Sequence, residues 1–249
     1  MEKNEFKLMW EDMQKAGYFS NHPHYSDHYG QEPTEQEQEL DNKLLALDFS
    51  TNDICMPVPY SDALERSVKR TEAIWLNQMF SLPKAGVALD IGCGFGRSVS
   101  WMCQQYDQVI GTDISAEVIS TARQRCAELE NAVFYVNEAD SLPAEIEPNS
   151  IDVAYIFTVF QHVPREYALE ILKNAERVLK KDGQVVFNLI ANINENVNDG
   201  KIDTEWAIGY SEEQALALLE QANLKLNKIV KWFRPETETC WLWVSAFSE

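Results

Sequence analysis

Positive charge is scarce in this chain: 21 lysines and arginines stand against 40 aspartates and glutamates, a net charge of −19 over 249 residues. Affinity for a phosphate backbone comes mainly from lysine and arginine. No basic cluster interrupts the sequence, so nucleic acid is not expected as a partner. The acidity reads as ordinary solubility, or as attraction for a cationic substrate such as an amine. Long apolar runs are missing too; none approaches the roughly 20 residues that cross a bilayer, so no membrane partner is expected. The opening Met1-Glu2-Lys3-Asn4-Glu5 mixes charges of both signs and has no apolar core, unlike a signal peptide. The five cysteines, at 55, 93, 103, 126 and 240, are odd in number and lack C-x-x-C spacing. Reduced thiols and a cytoplasmic location are therefore the expectation. Histidine is also sparse. Three of the four lie at His22, His24 and His28, beside Asp27. That group has metal-ligand chemistry but sits in a short loop with no distant fourth ligand, so no metal is expected. Nothing in the sequence sets an oligomeric state.

What is present begins at Val87-Ala88-Leu89-Asp90-Ile91-Gly92-Cys93-Gly94-Phe95-Gly96. An apolar segment of strand type ends in an acid, and a glycine-rich turn leads toward a helix. In open α/β sheets ligands bind beyond the carboxyl ends of strands, where such turns sit. Asp90 argues about which ligand. A dinucleotide presents a pyrophosphate to the helix N-terminus, and a carboxylate beside that anion repels it. A cationic ligand suits the acid. The glycines Gly92, Gly94 and Gly96 fall as G-x-G-x-G, and the third glycine of the dinucleotide pattern lands on Arg97. Cys93, inside the loop, is either a small apolar filler or a redox-sensitive thiol.

Downstream the pattern repeats. A helix is predicted over 98–106 with Val99, Met102, Cys103 and Tyr106 on one face. A strand over 108–111 then ends at Thr112-Asp113, 23 residues after Asp90. An acid there is placed to hydrogen-bond the two hydroxyls of a ribose. Ser115 caps the next helix. A third strand over 132–136 runs into Asn137-Glu138-Ala139-Asp140-Ser141-Leu142, and Pro143 blocks further pairing. A fourth, mostly apolar strand over 151–157 leads to Thr158-Val159-Phe160-Gln161-His162. A helix carrying Leu169, Leu172, Ala175 and Leu179 follows, with Lys180 and Lys181 in its last turn. Asp182-Gly183 then turns into a fifth strand over 184–190. Ser211-x-x-Gln214 fits a capping box, and strands over 226–233 and 240–247 close the chain.

With these motifs in this order, the chain over residues 85–247 resembles the class I (Rossmann-like) S-adenosylmethionine-dependent methyltransferases, small-molecule type. It departs at Lys181-Asp182, where the family usually has proline-glycine. The resemblance implies a doubly wound α/β fold: a mostly parallel seven-stranded sheet with an antiparallel last strand. It implies S-adenosyl-L-methionine as cofactor. It carries the site onto Asp90, Gly92, Gly94 and Gly96, and onto Asp113 with Ile114. Asp140 would accept from the adenine amino group, with Ser141 and Leu142 flanking the ring, and Phe157 ends the fourth strand beside them. The expected activity is methyl transfer to an oxygen or nitrogen of a small-molecule acceptor. The alternatives are a protein acceptor or a non-catalytic binding or regulatory protein.

His162 is the candidate general base, since it lies beyond the fourth strand and an imidazole titrates near neutrality. The other reading is that it only orients the loop. Residues 1–84 read as a helical cap or lid on the domain at 85–249. Phe6, Met9, Trp10 and Met13 have the spacing of an amphipathic helix, a second helix runs from Glu35 through Leu47, and a third spans 61–80 with Leu64, Val68, Thr71, Ile74 and Trp75 toward the core. Tyr25 and Tyr29 in the aromatic loop, with Trp206 and Tyr210 in the long polar stretch 191–210, are candidate acceptor contacts or surface packing. Trp232, Trp241 and Trp243 are hairpin packing or substrate contacts.

Overall fold

The computed structural model describes residues 3–15, 32–56, 58–59, 61–191, 208–234 and 239–249. A mixed sheet of eight strands organises it. The strands are β1 (Asp53–Cys55), β2 (Val87–Ile91), β3 (Gln108–Asp113), β4 (Ala132–Val136), β5 (Ile151–Ile156), β6 (Leu179–Ala191), β7 (Leu224–Arg234) and β8 (Thr239–Ser248). Their order is β1-β7-β8-β6-β5-β2-β3-β4. All neighbours pair in parallel except β8, which runs antiparallel between β6 and β7. The doubly wound sheet and its antiparallel last strand are as expected, and the strand count rises by one. The addition is β1, whose Ile54 pairs with Trp232 of β7 and covers that edge.

The helices are α1 (Lys3–Lys15), α2 (Glu35–Leu45), α3 (Asp62–Arg70), α4 (Glu72–Phe80), α5 (Arg97–Met102), α6 (Ala116–Arg125), α7 (Arg165–Val178) and α8 (Glu212–Gln221). Local chemistry starts several of them. Ser115 accepts the Val118 N–H to cap α6, and Thr34–Glu37 and Ser211–Gln214 form reciprocal capping boxes.

Alternation in β5 shows why its residues are apolar throughout. Val153 and Tyr155 face one layer with Trp75 and Leu76 of α4, Val99 of α5 and Ile119 of α6; Ala154 and Ile156 face the other with Leu172 of α7 and Leu219 of α8. Phe49, Trp75, Trp232 and Trp243 pack ring on ring, with the Trp75 centroid 5.0 Å from Trp232 and 4.9 Å from Trp243. The hairpin tryptophans Trp232 and Trp243 are thus core, and Trp241 packs partly buried against the same cluster.

Several local expectations change. The helix over 61–80 breaks at Thr71, whose hydroxyl donates to the Ser67 carbonyl at 2.8 Å; such back-bonding bends helices. Past that break Ile74 is 49 % exposed instead of core-facing. The helix after the glycine loop is shorter than 98–106, ending at Met102, though Tyr106 is still buried. Lys180 and Lys181 fall after α7, not in its last turn. The β5–β6 pairing jumps from Ile151–Leu179 to Val153–Gln184, so the intervening residues bulge. Asp182 there takes φ +61°, and a Cβ on Gly183 would stand 2.7 Å from the Lys180 carbonyl.

Candidate cofactor site and acceptor wall

β2 lies between β3 and β5, so the chain winds away from it in both directions and leaves a crevice beyond the ends of β2 and β5. The glycine loop forms its floor. Gly92, Gly94 and Gly96 all take positive φ, at +78°, +53° and +83°. Gly92 needs its missing side chain for a second reason: a Cβ there would stand 2.3 Å from Cγ2 of Val159. The Gly92 and Cys93 N–H groups both donate to the Thr112 carbonyl, which ties the loop to β3.

Two acids meet at this floor. Asp90 is 2 % exposed, and its Oδ2 has no hydrogen-bond partner. Burial raises its pKa from 3.8 to about 7; Arg97 opposes that rise, while Glu72 and Asp113 add to it. Asp113 accepts the Gly94 N–H at 3.2 Å on Oδ2 and the Ser115 N–H at 3.0 Å on Oδ1. Burial outweighs the backbone donors and brings it to about 6. Cys93, buried between them, has its thiol pushed far up by burial and by the neighbouring acids, the behaviour of an inert filler rather than a redox-sensitive thiol.

Arg97 at the start of α5 does not reach into the crevice for an anion. It forms a two-pronged ion pair with Glu72 of α4, at 2.7 and 3.0 Å, and Glu72 also accepts the Trp101 indole N–H at 2.9 Å. These groups fit S-adenosylmethionine and not a dinucleotide. An ammonium would meet the unsatisfied oxygen of Asp90 and ribose hydroxyls would meet Asp113, whereas a pyrophosphate would face two carboxylates.

The remaining predicted cofactor contacts surround this floor. Ile114 and Leu142 are partly buried against the core. Asp140 and Ser141 form the turn after β4, where the Glu138 N–H donates to the Ser141 carbonyl and Asn174 of α7 donates to the Asp140 carbonyl at 2.8 Å. The Phe157 ring is committed to the core, edge-on to Tyr155 and Trp243, so only its rim and backbone are left for the crevice.

His162 ends a short 3-10 turn, Phe160–His162, at the far side of the crevice. Its ring meets the Trp10 indole edge-to-face, centroids 5.4 Å apart. Trp10 comes from α1, which also buries Phe6 against Tyr167 of α7 and sets Lys7 on Glu138 at 3.0 Å. Helix α1 therefore bridges the His162 turn and the loop after β4. The apolar stripe of α1 is visible in the sequence, but what it faces is not. Tyr210 is buried beneath Arg165, whose guanidinium lies 5.2 Å from the ring centroid, and its hydroxyl has no partner. Tyr25, Tyr29 and Trp206, with His22, His24, Asp27 and His28, lie outside the described residues. Among the described residues no group of three or more histidines, cysteines or acids could hold a metal, and no helix is long and apolar enough to cross a membrane.

Comparison with known proteins agrees with this geometry. Residues 89–187 match a family model described as a methyltransferase domain. The chain is 28 % identical over 143 residues to a ubiquinone biosynthesis O-methyltransferase of Aliivibrio fischeri, covering 57 % of each chain. It is 31 % identical over 102 residues to the enzyme of that name from Pectobacterium carotovorum, covering 41 % of this chain and 42 % of the other. The chain thus spans about half the length of the curated relatives it matches. Among solved structures, a methyltransferase from Methanosarcina mazei superposes with a TM-score of 0.56 at 21 % identity, over 67 % of this chain and 94 % of that one. The [4+2]-cyclase SpnF superposes with a TM-score of 0.63 at 16 % identity, over 74 % and 83 %. At these identities the two structures establish the fold alone.

Proposed function

We propose, from the premise that this chain carries a class I S-adenosylmethionine-dependent methyltransferase domain, that the protein moves a methyl group onto an oxygen of a small-molecule acceptor. The observation that carries the reading is Asp90: a buried carboxylate with an unsatisfied oxygen, two residues before a glycine turn, where it would repel an anion. The choice of oxygen over nitrogen draws on the names of the Aliivibrio and Pectobacterium relatives. S-adenosylmethionine supplies a methyl group on a sulfonium, already activated for in-line displacement.

The protein's own work is binding, alignment and proton removal. Asp90 balances the ammonium, Asp113 accepts from the ribose hydroxyls, and Asp140 accepts from the adenine amino group. Holding two reactants in line is worth about 7–11 kcal/mol, so alignment carries most of the catalysis. An acceptor hydroxyl must also lose its proton. His162 takes it, a role worth about 10²–10⁴ in rate. Helix α1 acts as the cap, with Phe6 and Trp10 walling the acceptor side against water, while β1 and α4 belong to the sheet and its core.

Calorimetry with S-adenosylhomocysteine, S-adenosylmethionine, NAD and NADP, followed by assay of S-adenosylhomocysteine release with a panel of phenols, catechols and primary amines, tests the proposal. Binding of the first two ligands alone, with turnover on a hydroxylated acceptor, is expected. Nicotinamide binding overturns the cofactor site, and turnover confined to amines overturns the choice of oxygen.

A further inference from the structure

Five residues other than glycine take positive φ among the described residues: Ser81, Asn149, Thr158, Asp182 and Asn223. Three are the asparagines and aspartate that tolerate the left-handed region, and one is a serine. Thr158, at φ +56°, is β-branched, and for such a residue this conformation is an outlier that the surroundings must enforce.

Of the two hydrogen bonds at this turn, the one from outside the segment comes from Asn188. Thr158 is exposed at the mouth of the crevice, directly after β5. Its backbone N–H donates to Oδ1 of Asn188 at 2.7 Å, and its hydroxyl donates to the Phe157 carbonyl, also at 2.7 Å. Asn188 lies in β6, one residue past the Ile156–Phe187 pair, and is 2 % exposed. It is one of few polar side chains in a strand otherwise buried from Gly183 to Ala191. The turn that Asn188 holds decides where the next four residues go. It brings Val159 onto Gly92, and the Val159 carbonyl accepts the His162 N–H at 2.9 Å to close the 3-10 turn.

We infer that Asn188 is a positioning residue: its buried carboxamide holds Thr158 in the left-handed turn and thereby sets His162 at the acceptor side of the crevice. The inference rests on the methyltransferase reading for its catalytic meaning, but the placement of His162 is measurable without turnover.

The test is a cycle of Asn188→Ala, Thr158→Gly and the double variant, read by proton NMR of the imidazoles and by kinetics. The chain has four histidines, and the signal lost in His162→Gln identifies His162. Asn188→Ala should move the His162 signal and lower kcat on a hydroxylated acceptor by about tenfold or more, the scale of one backbone donor left without its acceptor. Affinity for S-adenosylhomocysteine should fall by less than the rate, because Asp90 and Asp113 stay in place and only the Val159 contact on Gly92 is disturbed. Glycine adopts the left-handed turn without help, so adding Thr158→Gly should return both the signal and the rate. Thr158→Pro removes the same N–H from the exposed side and fixes φ near −65°; it should reproduce the Asn188→Ala shift, and it carries the test if Asn188→Ala does not fold. A His162 signal that stays put in either variant overturns the inference. So does an equal loss with threonine or glycine at 158, which would place Asn188 in direct contact with the acceptor. If the wild-type protein transfers no methyl group, the function proposed above fails, while the NMR arm still decides whether Asn188 positions His162.

Discussion

Replacing Asp90 with asparagine should make the free protein more stable and the cofactor complex weaker. Asp90 titrates at about 7 in the fold against 3.8 as its ordinary value, because it is buried with one oxygen unpaired. Between about pH 4 and 7 the folded chain therefore holds a proton that the unfolded chain has released. This group's contribution to stability is complete below the lower value and is lost as pH rises through the upper one. By pH 8 the loss is at most about 4 kcal/mol, at 1.36 kcal/mol for each pH unit between the two values. Asparagine fills the same space without a charge, so at pH 8 it should recover a large part of that loss. For a chain of this size about 2–4 kcal/mol corresponds to roughly 5–15 °C in Tm. At pH 5 the folded carboxyl is neutral but the unfolded one is ionised, so the difference should shrink to about 1–2 kcal/mol and vanish only near pH 4. Affinity should move the other way, weakened by about 1.5–3 kcal/mol for a lost charged partner. Thermal melts from pH 5 to 8.5, paired with calorimetry against S-adenosylhomocysteine, read both effects. Asp90→Asn melting with the wild type at every pH would refute the claim that a buried, uncompensated charge sits at this floor.

Asp113→Ala should weaken S-adenosylhomocysteine by about 1.5–3 kcal/mol with the fold intact by circular dichroism; unchanged affinity would assign the ribose to another residue. Gly92→Ala should destabilise by more than about 1 kcal/mol in denaturant titration, since a side chain at φ +78° also meets Val159. His162→Gln should lower kcat by about a hundredfold or more with cofactor affinity unchanged, whereas a loop-orienting role predicts a small loss, or binding and rate falling together. Removing residues 1–15 should leave cofactor binding measurable but raise KM for the acceptor, and full activity in the truncated protein would strip α1 of its part in the site.

The sequence exposes features whose cause is local. An apolar strand ending in Asp90, glycines at 92, 94 and 96, and an acid closing the next strand each follow from neighbours in the chain, so the sheet and the glycine turn between Asp90 and Asp113 were legible. What escaped depends on contacts distant in sequence. β1 is three residues without alternation and becomes a strand only because β7 offers it an edge. The Thr71 break needs the Thr71 hydroxyl to choose the Ser67 carbonyl. Thr158 runs against its own propensity, and only Asn188, 30 residues on, explains it. Arg97 was visible as the residue that spoils a dinucleotide pattern, but its partner Glu72 was not.

The Glu72–Arg97 pair also bears on how this protein can be re-engineered. It joins the chain on both sides of residue 84, with Glu72 buried and both of its oxygens occupied. A chimera that grafts another protein's leading segment at that seam would take Glu72 from the half-buried Arg97, and moving this segment elsewhere would strand the buried Glu72 carboxylate, at about 3–5 kcal/mol for that buried orphan. A seam just upstream of α3 meets the same obstacle, because buried Glu37 of α2 pairs with Arg66 of α3, Asp41 pairs with Arg70, and β1 is bound to β7. Strand β1 and helices α2, α3 and α4 therefore have to be inherited as one block together with the glycine turn.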